Sequence, residues 1–360
     1  MGREELDEVV DSFERNWLTS GPKVEKFERE VAEFVGAPFG IAVSNGTVAL
    51  DIVLKILGIG PGDEVIVPAM TYFATAAAVS YQHAVPVFTD IEGDSFNLDP
   101  KRVCEAITDK TKAILFIDYG GNPSDVDGIR EVGESAGVRV VQDAAQSLGA
   151  VYRGQSMGAQ TVISSMSFHM AKVMTCVEGG MVFTHSEEFK EQVVARRNQG
   201  EPPNMKYKHV VLGTNARMTD MQAGIGLAQL RRLPTLLEGR RRVAERYKEL
   251  LSASGMNVTT ITTRPENSRN AFFFFPILID DRDRIADVLR DKHGIDTRVA
   301  YPMPVYEQEL YASGGAVSRA MACPVAEDVT SRILNLPIFP DMSTEMIESV
   351  VEAIRDAVGS

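Results

Sequence analysis

Ser164-Ser165-Met166-Ser167-Phe168-His169-Met170-Ala171-Lys172, followed by Glu178-Gly179-Gly180-Met181-Val182-Phe183-Thr184, is the stretch around which the chain is organised. Short apolar runs of β character bound it, and a single lysine sits at its turn. The glycine pair lets the backbone approach a neighbour closely or take a positive φ. A lysine kept in a dry pocket flanked by strands is where a Schiff-base nucleophile would stand. A lone lysine on a loop is more often a solvated one, so this reading depends on what the rest of the chain supplies.

Immediately upstream, Val138-Arg139-Val140-Val141-Gln142 reads as a strand with Asp143-Ala144-Ala145-Gln146 at its end. Ala113 to Asp118, Val85 to Asp90, Asp63 to Pro68 and Gly40 to Val43 read as further strands, with helical patterns between them. Strands alternating with helices imply an α/β fold with a mostly parallel sheet between helices, and ligands at the strands' carboxyl ends. Asp143 then points into the crevice, or it caps a local turn. Ser44-Asn45-Gly46-Thr47, between a strand and a helix, is a ready phosphate site or a plain N-cap. Thr71-Tyr72-Phe73 opens an alanine-rich helix running to about Gln82; Tyr72 either stacks on a planar ligand or fills the core.

Near the amino terminus, Trp17 to Pro22 is a turn that leads into a helix with Val24, Phe27, Val31 and Phe34 on one face. Downstream of Lys172 a helix runs from Glu187 to about Asn198, and Arg197 to Arg217 is a long polar loop, functional or mobile. The next helix begins near Thr219-Asp220 and is expected to end near Pro234. The domain boundary falls at Pro234 to Gly239, giving a large domain with an N-terminal helical arm (1–236) and a smaller C-terminal α+β domain (237–360). Arg231, Arg232, Arg240, Arg241 and Arg242 are expected to form a solvated helix face. Beyond them lie a strand from Ala271 to Ile279, a helix from Arg282 to His293 and a short buried segment, Leu334-Asn335-Leu336-Pro337. A last helix, capped by Ser343, turns Met346, Ile347, Val350, Val351 and Ile354 inward.

The bulk properties narrow the class. The 360 residues suit one large α/β body plus a smaller domain, and a net charge of −13 disfavours nucleic acid and anionic membrane surfaces as partners. No run approaches the ~20 apolar residues of a membrane helix. Three scattered cysteines (Cys104, Cys176, Cys323) without a CxxC pair favour a reducing cytoplasm, and the five histidines show no metal-ligand spacing.

Four features then line up in chain order: an anion site at Asn45-Gly46-Thr47, an aromatic at Tyr72, a carboxylate at Asp143 and an amine at Lys172. A planar, phosphorylated heteroaromatic aldehyde with a basic ring nitrogen accounts for all four, and pyridoxal 5′-phosphate is that molecule. With these motifs in place, and with Glu178-Gly179-Gly180, Gly213-Thr214-Asn215-Ala216-Arg217 and Leu334-Asn335-Leu336-Pro337 in the right order, the chain resembles the DegT/DnrJ-type sugar aminotransferases. These are a branch of the fold-type I pyridoxal-phosphate enzymes, of the aspartate-aminotransferase-like fold, and the resemblance spans nearly the whole sequence. It implies that Lys172 carries the cofactor and that Asp143 partners its ring nitrogen. Gln146 would lie near the phenolic oxygen and Tyr72 would stack on the ring. Gly46, Thr47 and Ser167 would bind the phosphate. Asn215 would reach the phosphate from a neighbouring subunit, which implies a homodimer with shared active sites.

The resemblance further implies transfer of an amino group from an amino acid, glutamate or glutamine in most of the family, to a nucleotide-linked keto-sugar. Arg197 and Arg217 in the polar loop are candidates for holding the diphosphate or ordering the loop that does; Arg217 is equally a cap for a carbonyl at the subunit boundary. A keto-cyclitol acceptor is the alternative within the transaminases. Sugar dehydratases of the family carry histidine where Lys172 stands, and a non-catalytic relative is expected to lose Lys172 or Asp143. Two departures bear on the substrate: Ala300 replaces a histidine before Tyr301-Pro302, and Phe272 to Phe275 replaces a more polar stretch.

Overall fold

Val65, Ile66 and Val67 are all buried, and so is every residue from Ala113 to Ile117. Unbroken burial along a strand means cover on both faces, the mark of a parallel sheet between helical layers. The computed structural model, which describes residues 1–359, has that architecture. Its strands are β1 (Phe39–Val43), β2 (Glu64–Pro68), β3 (Val85–Thr89), β4 (Thr111–Ile117), β5 (Arg139–Asp143), the short hairpin β6 (Val151–Tyr152) and β7 (Gln155–Ser156), β8 (Ile163–Ser167), β9 (Gly180–Thr184), β10 (Thr259–Thr260), β11 (Phe275–Leu278), β12 (Arg319–Ala320) and β13 (Ile333–Leu336). The helices are α1 (Arg3–Glu14), α2 (Pro22–Val35), α3 (Gly46–Ile56), α4 (Phe73–Tyr81), α5 (Pro100–Ala106), α6 (Val126–Ala136), α7 (Glu187–Arg197), α8 (Asp220–Ala253), α9 (Arg282–His293), α10 (Glu309–Ala312), α11 (Pro324–Arg332) and α12 (Thr344–Gly359).

Eight strands form the main sheet in the order β1-β9-β8-β5-β4-β2-β3-β12. Only β9 runs against the rest, being antiparallel to both β1 and β8. Side chains alternate across this sheet, so Val65 and Val67 join one apolar cluster while Ile66 joins the other. A second sheet, β10-β11-β13, is antiparallel. With α9, α12 and the later part of α8 it encloses a third cluster around Tyr247, Phe275, Ile277, Leu289 and Ile354. The mostly parallel sheet and the smaller α+β region match the expected fold class.

Four expectations are corrected. The helix that begins at Asp220 does not stop at Pro234 but continues to Ala253. A mid-helix proline costs about 3 kcal/mol. Leu233, Leu237, Val243 and Tyr247, all buried along the same helix, gain about 1.5–3 kcal/mol each and outweigh that cost. The strand expected from Ala271 forms only from Phe275, because the preceding backbone bonds elsewhere: the Ala271 amide donates to the Gly121 carbonyl (3.0 Å) and Phe274 to Gly120 (3.2 Å). The arginine row is a solvated face only at Arg231 and Arg242. Arg240 is held by the carbonyls of Phe272 (2.9 Å) and Ile338 (3.2 Å), with burial lowering its guanidinium to about 10, and Arg232 pairs with the buried Glu5. Met346 lies off the buried stripe of α12 and is exposed, while Ile347, Val350, Val351 and Ile354 do pack inward.

Candidate active site

The carboxyl ends of β1, β2, β5 and β8 converge on one cavity of about 1010 Å³. Its walls include Asn45, Gly46, Thr47, Tyr72, Asp143, Gln146, Ser167 and Lys172, so seven of the eight residues anticipated for cofactor contact meet there. Asn215 does not line this cavity. It is exposed and forms an isolated antiparallel bridge with Asn198 in the long loop.

The helix start on the cavity wall has the chemistry to take an anion. Asn45 caps α3, its side-chain oxygen accepting the Val48 amide at 2.9 Å. The amides of Gly46 and Thr47, in the first turn of that helix, have no partner inside it. A Cβ on Gly46 would come within 2.8 Å of the Ser167 Cβ, so only glycine lets the turn lie this close to the end of β8. Gly180 is tighter still: a Cβ there would sit 2.4 Å from the Asn45 carbonyl, which explains the second glycine after Glu178.

Another part of the wall carries a buried carboxylate and an amine. Asp143, buried at the end of β5, accepts the Thr75 hydroxyl at 3.0 Å and the Ala145 amide at 3.1 Å. Burial pushes its carboxyl above the usual range, and those two bonds together with the charge of Lys172 pull it back. Lys172 itself feels burial more than its attraction to Asp143, which draws its ammonium down to about 8. Its Nζ lies 4.6 Å from the centre of the Phe273 ring. Behind Asp143 stands a second buried carboxylate, Asp118, raised to about 6 by desolvation and held by Ser147 (2.7 Å), Gln142 (2.6 Å) and the Ser124 amide (3.1 Å).

Gln146 is locked in place. Its oxygen accepts the Gly120 amide at 2.8 Å and its nitrogen donates to the Tyr301 hydroxyl at 2.9 Å. Tyr301, at a positive φ of 62°, brings its ring within 6.3 Å of Tyr72 and 5.9 Å of Tyr119. Thr75 was not read from the sequence as a site residue, whereas Phe273 and Tyr301 lie in the two segments expected to meet the substrate. For Thr75 a local signal existed, a lone hydroxyl in an alanine-rich helix start; Phe273 belongs to the apolar departure at Phe272 to Phe275, and Tyr301 follows the departure at Ala300. Arg197 and Arg217 are engaged elsewhere. Arg197 pairs with Glu28 and donates to the Ala42 carbonyl, and Arg217 donates to the Asn198 side chain at 2.7 Å. Among the described residues no helix is long and apolar enough to cross a membrane, and no His, Cys, Asp and Glu cluster of metal-binding size occurs.

A lysine, a helix start with partnerless amides and a buried carboxylate on one cavity wall are a donor set that fits pyridoxal phosphate. Known proteins agree with that chemistry. The sequence profile of the DegT/DnrJ/EryC1/StrS aminotransferase family matches residues 1–355. Spore coat polysaccharide biosynthesis protein SpsC of Bacillus subtilis (strain 168) is 33% identical over 374 residues, covering 99% of this chain and 95% of the relative. The crystal structure of S. venezuelae DesV, in complex with a ketimine intermediate, superposes with a TM-score of 0.93 at 34% identity, over 98% of this chain and 94% of that one. The PLP form of the putative sugar aminotransferase Spr1654 from Streptococcus pneumoniae superposes at 0.92 with 28% identity, over 100% and 97% of the two chains. The chain therefore belongs to the DegT/DnrJ/EryC1/StrS aminotransferase family, whose enzymes are pyridoxal-phosphate-dependent sugar aminotransferases.

Proposed function

We propose that the cavity holds pyridoxal 5′-phosphate on Lys172, and that the enzyme moves an amino group from glutamate to a keto-sugar carried on a nucleotide diphosphate. The observation that carries this reading is the meeting of Lys172, the buried Asp143 and the helix start at Gly46 and Thr47 on the walls of one cavity. When bound, the cofactor supplies an electron sink that makes the carbon next to the transferred nitrogen acidic. Lys172 takes that proton at Nζ and returns it; an amine drawn down to about 8 is near enough to neutral pH to do both. Asp143, fixed by Thr75 and Ala145, would hold a proton on the ring nitrogen. The Gly46 and Thr47 amides and the Ser167 hydroxyl would hold the phosphate, Tyr72 would stack on the ring, and Gln146 would meet the phenolic oxygen. Phe273, Phe274 and Tyr301 wall the cavity and keep water from the reacting carbon.

Asn215 of a second copy would complete the phosphate site, which makes the working unit a homodimer with shared active sites. The two domains would divide at 236/237, within α8, whose later residues Val243, Ala244 and Tyr247 pack in the third cluster. Three unpaired cysteines fit a cytoplasmic enzyme. Borohydride treatment of the yellow protein followed by peptide mapping tests the cofactor reading: the label belongs on Lys172, and a label on another lysine overturns it. For the acceptor, a nucleotide-linked keto-hexose should exceed the free keto-sugar greatly in kcat/KM, because remote contacts position the reacting carbon. Equal efficiency with a free keto-cyclitol would refute the nucleotide-linked reading.

A further inference from the structure

The segment Arg298 to Met303 forms a continuous wall of the cavity, and Arg298 is its one guanidinium. The other cationic side chains on the walls are Lys172, at the reacting end, and His169, which faces Glu178 at 3.7 Å. Arg298 is exposed at the cavity, and its guanidinium has no hydrogen bond or ion pair among the described residues. Most arginines of this chain are tied to a carboxylate or a carbonyl, as Arg197, Arg217, Arg232 and Arg240 are. An unpaired guanidinium on a cavity wall is a receptor without its ligand group.

Its backbone, by contrast, is held firmly. Arg298 forms an antiparallel bridge with Asn335: each amide donates to the other's carbonyl, at 3.0 and 2.9 Å. The Asn335 side chain adds a third bond to the Arg298 carbonyl at 3.0 Å, and its oxygen lies 3.5 Å from the Tyr119 hydroxyl. A buried asparagine amid Ile333, Leu334 and Leu336 is costly unless its amide is used, and this is its use. Directly opposed residues of a bridge project to the same side. Arg298 therefore leaves the bridge on the side where Asn335 meets Tyr119, the aromatic neighbour of Tyr301.

We propose that Arg298 is the anion receptor of this cavity. Its fork takes two oxygens of the substrate's anionic group, which is the diphosphate of a nucleotide-linked sugar or the carboxylate of the amino donor. Asn335 is the positioning residue that sets its direction. The proposal rests on the transaminase reading above, and the two are separable in one set of measurements.

The holoenzyme is compared with Arg298→Gln and Arg298→Lys. UDP and dTDP binding is measured by calorimetry, and the half-reaction with L-glutamate is followed by the loss of the cofactor's visible absorbance. Loss of a charge-assisted pair should weaken its ligand by roughly 10- to 100-fold in Arg298→Gln, and less in Arg298→Lys, which keeps the charge without the fork. A loss confined to UDP or dTDP assigns Arg298 to the diphosphate; a raised KM confined to glutamate, with kcat kept, assigns it to the donor carboxylate. Changes under about twofold in both arms, with far-ultraviolet circular dichroism unchanged, overturn the proposal. Failure of the parent enzyme to bind either nucleotide overturns the nucleotide-linked reading instead, and the glutamate arm then decides Arg298 alone.

Discussion

Replacing Lys172 by methionine removes a cation from a place where a cation is costly. Burial draws the ammonium from 10.5 down to about 8, opposed in part by the charge of Asp143. The unfolded chain keeps its proton up to about pH 10.5, whereas the folded chain gives it up near 8, so the unfolded state binds more protons between these values. Stability of the parent therefore rises with pH through that window, and below it the full penalty falls on the folded state. At roughly 1.4 kcal/mol per unit the penalty is about 3 kcal/mol at pH 7 and under about 1 kcal/mol at pH 10. Methionine keeps the unbranched stem, so the cofactor-free variant should gain about 1–3 kcal/mol at pH 7. The lower figure applies if Asp143, left without its cationic neighbour, returns part of the gain. Urea unfolding followed by circular dichroism at pH 7 and pH 10 reads both values. A gain of equal size at the two pH values, or a loss at pH 7, refutes the account of Lys172 as a dry amine.

Asp143→Asn should lower kcat on the order of 10³-fold or more, since a neutral amide cannot hold the proton on the ring nitrogen; near-normal turnover in a folded variant would remove that role. Mixing inactive Lys172→Ala with an inactive Asn215 variant should restore part of the activity, because one of the two sites of a mixed dimer then carries neither change. Absence of recovery after demonstrated subunit exchange counts against shared sites. Gly180→Ala should cost about 1–3 kcal/mol, since its Cβ would lie 2.4 Å from the Asn45 carbonyl and the anion turn would have to move. A change in urea midpoint worth less than about 0.5 kcal/mol would show that the turn yields freely.

Residues carried by local signals were legible in the sequence. Asp143 ends a run of strand-forming residues, Asn45 and Gly46 sit between a strand and an apolar helix, and Arg282 to His293 shows a helix start and stop. All of these follow from patterns a few residues long. What was missed depends on distant chain meeting distant chain. Tyr301 reaches Gln146 across 155 positions, and Arg298 is aimed by Asn335. Arg240 reads as a surface arginine until the Phe272 and Ile338 carbonyls are brought to it. Pro234 reads as a stop until the helix around it is buried on both of its halves.

The short strand β12 closes one edge of the main sheet, with Arg319 opposite Val87 and Ala320 opposite Phe88. During synthesis β3 is made long before β12, so a growing chain carries an uncovered β3 edge until residue 320 has left the ribosome. An open edge of buried-type strand pairs readily with other chains. The nascent enzyme is therefore most prone to aggregate in the interval between these two segments, and fragments ending before Arg319 should need a chaperone that a chain including β12 does not.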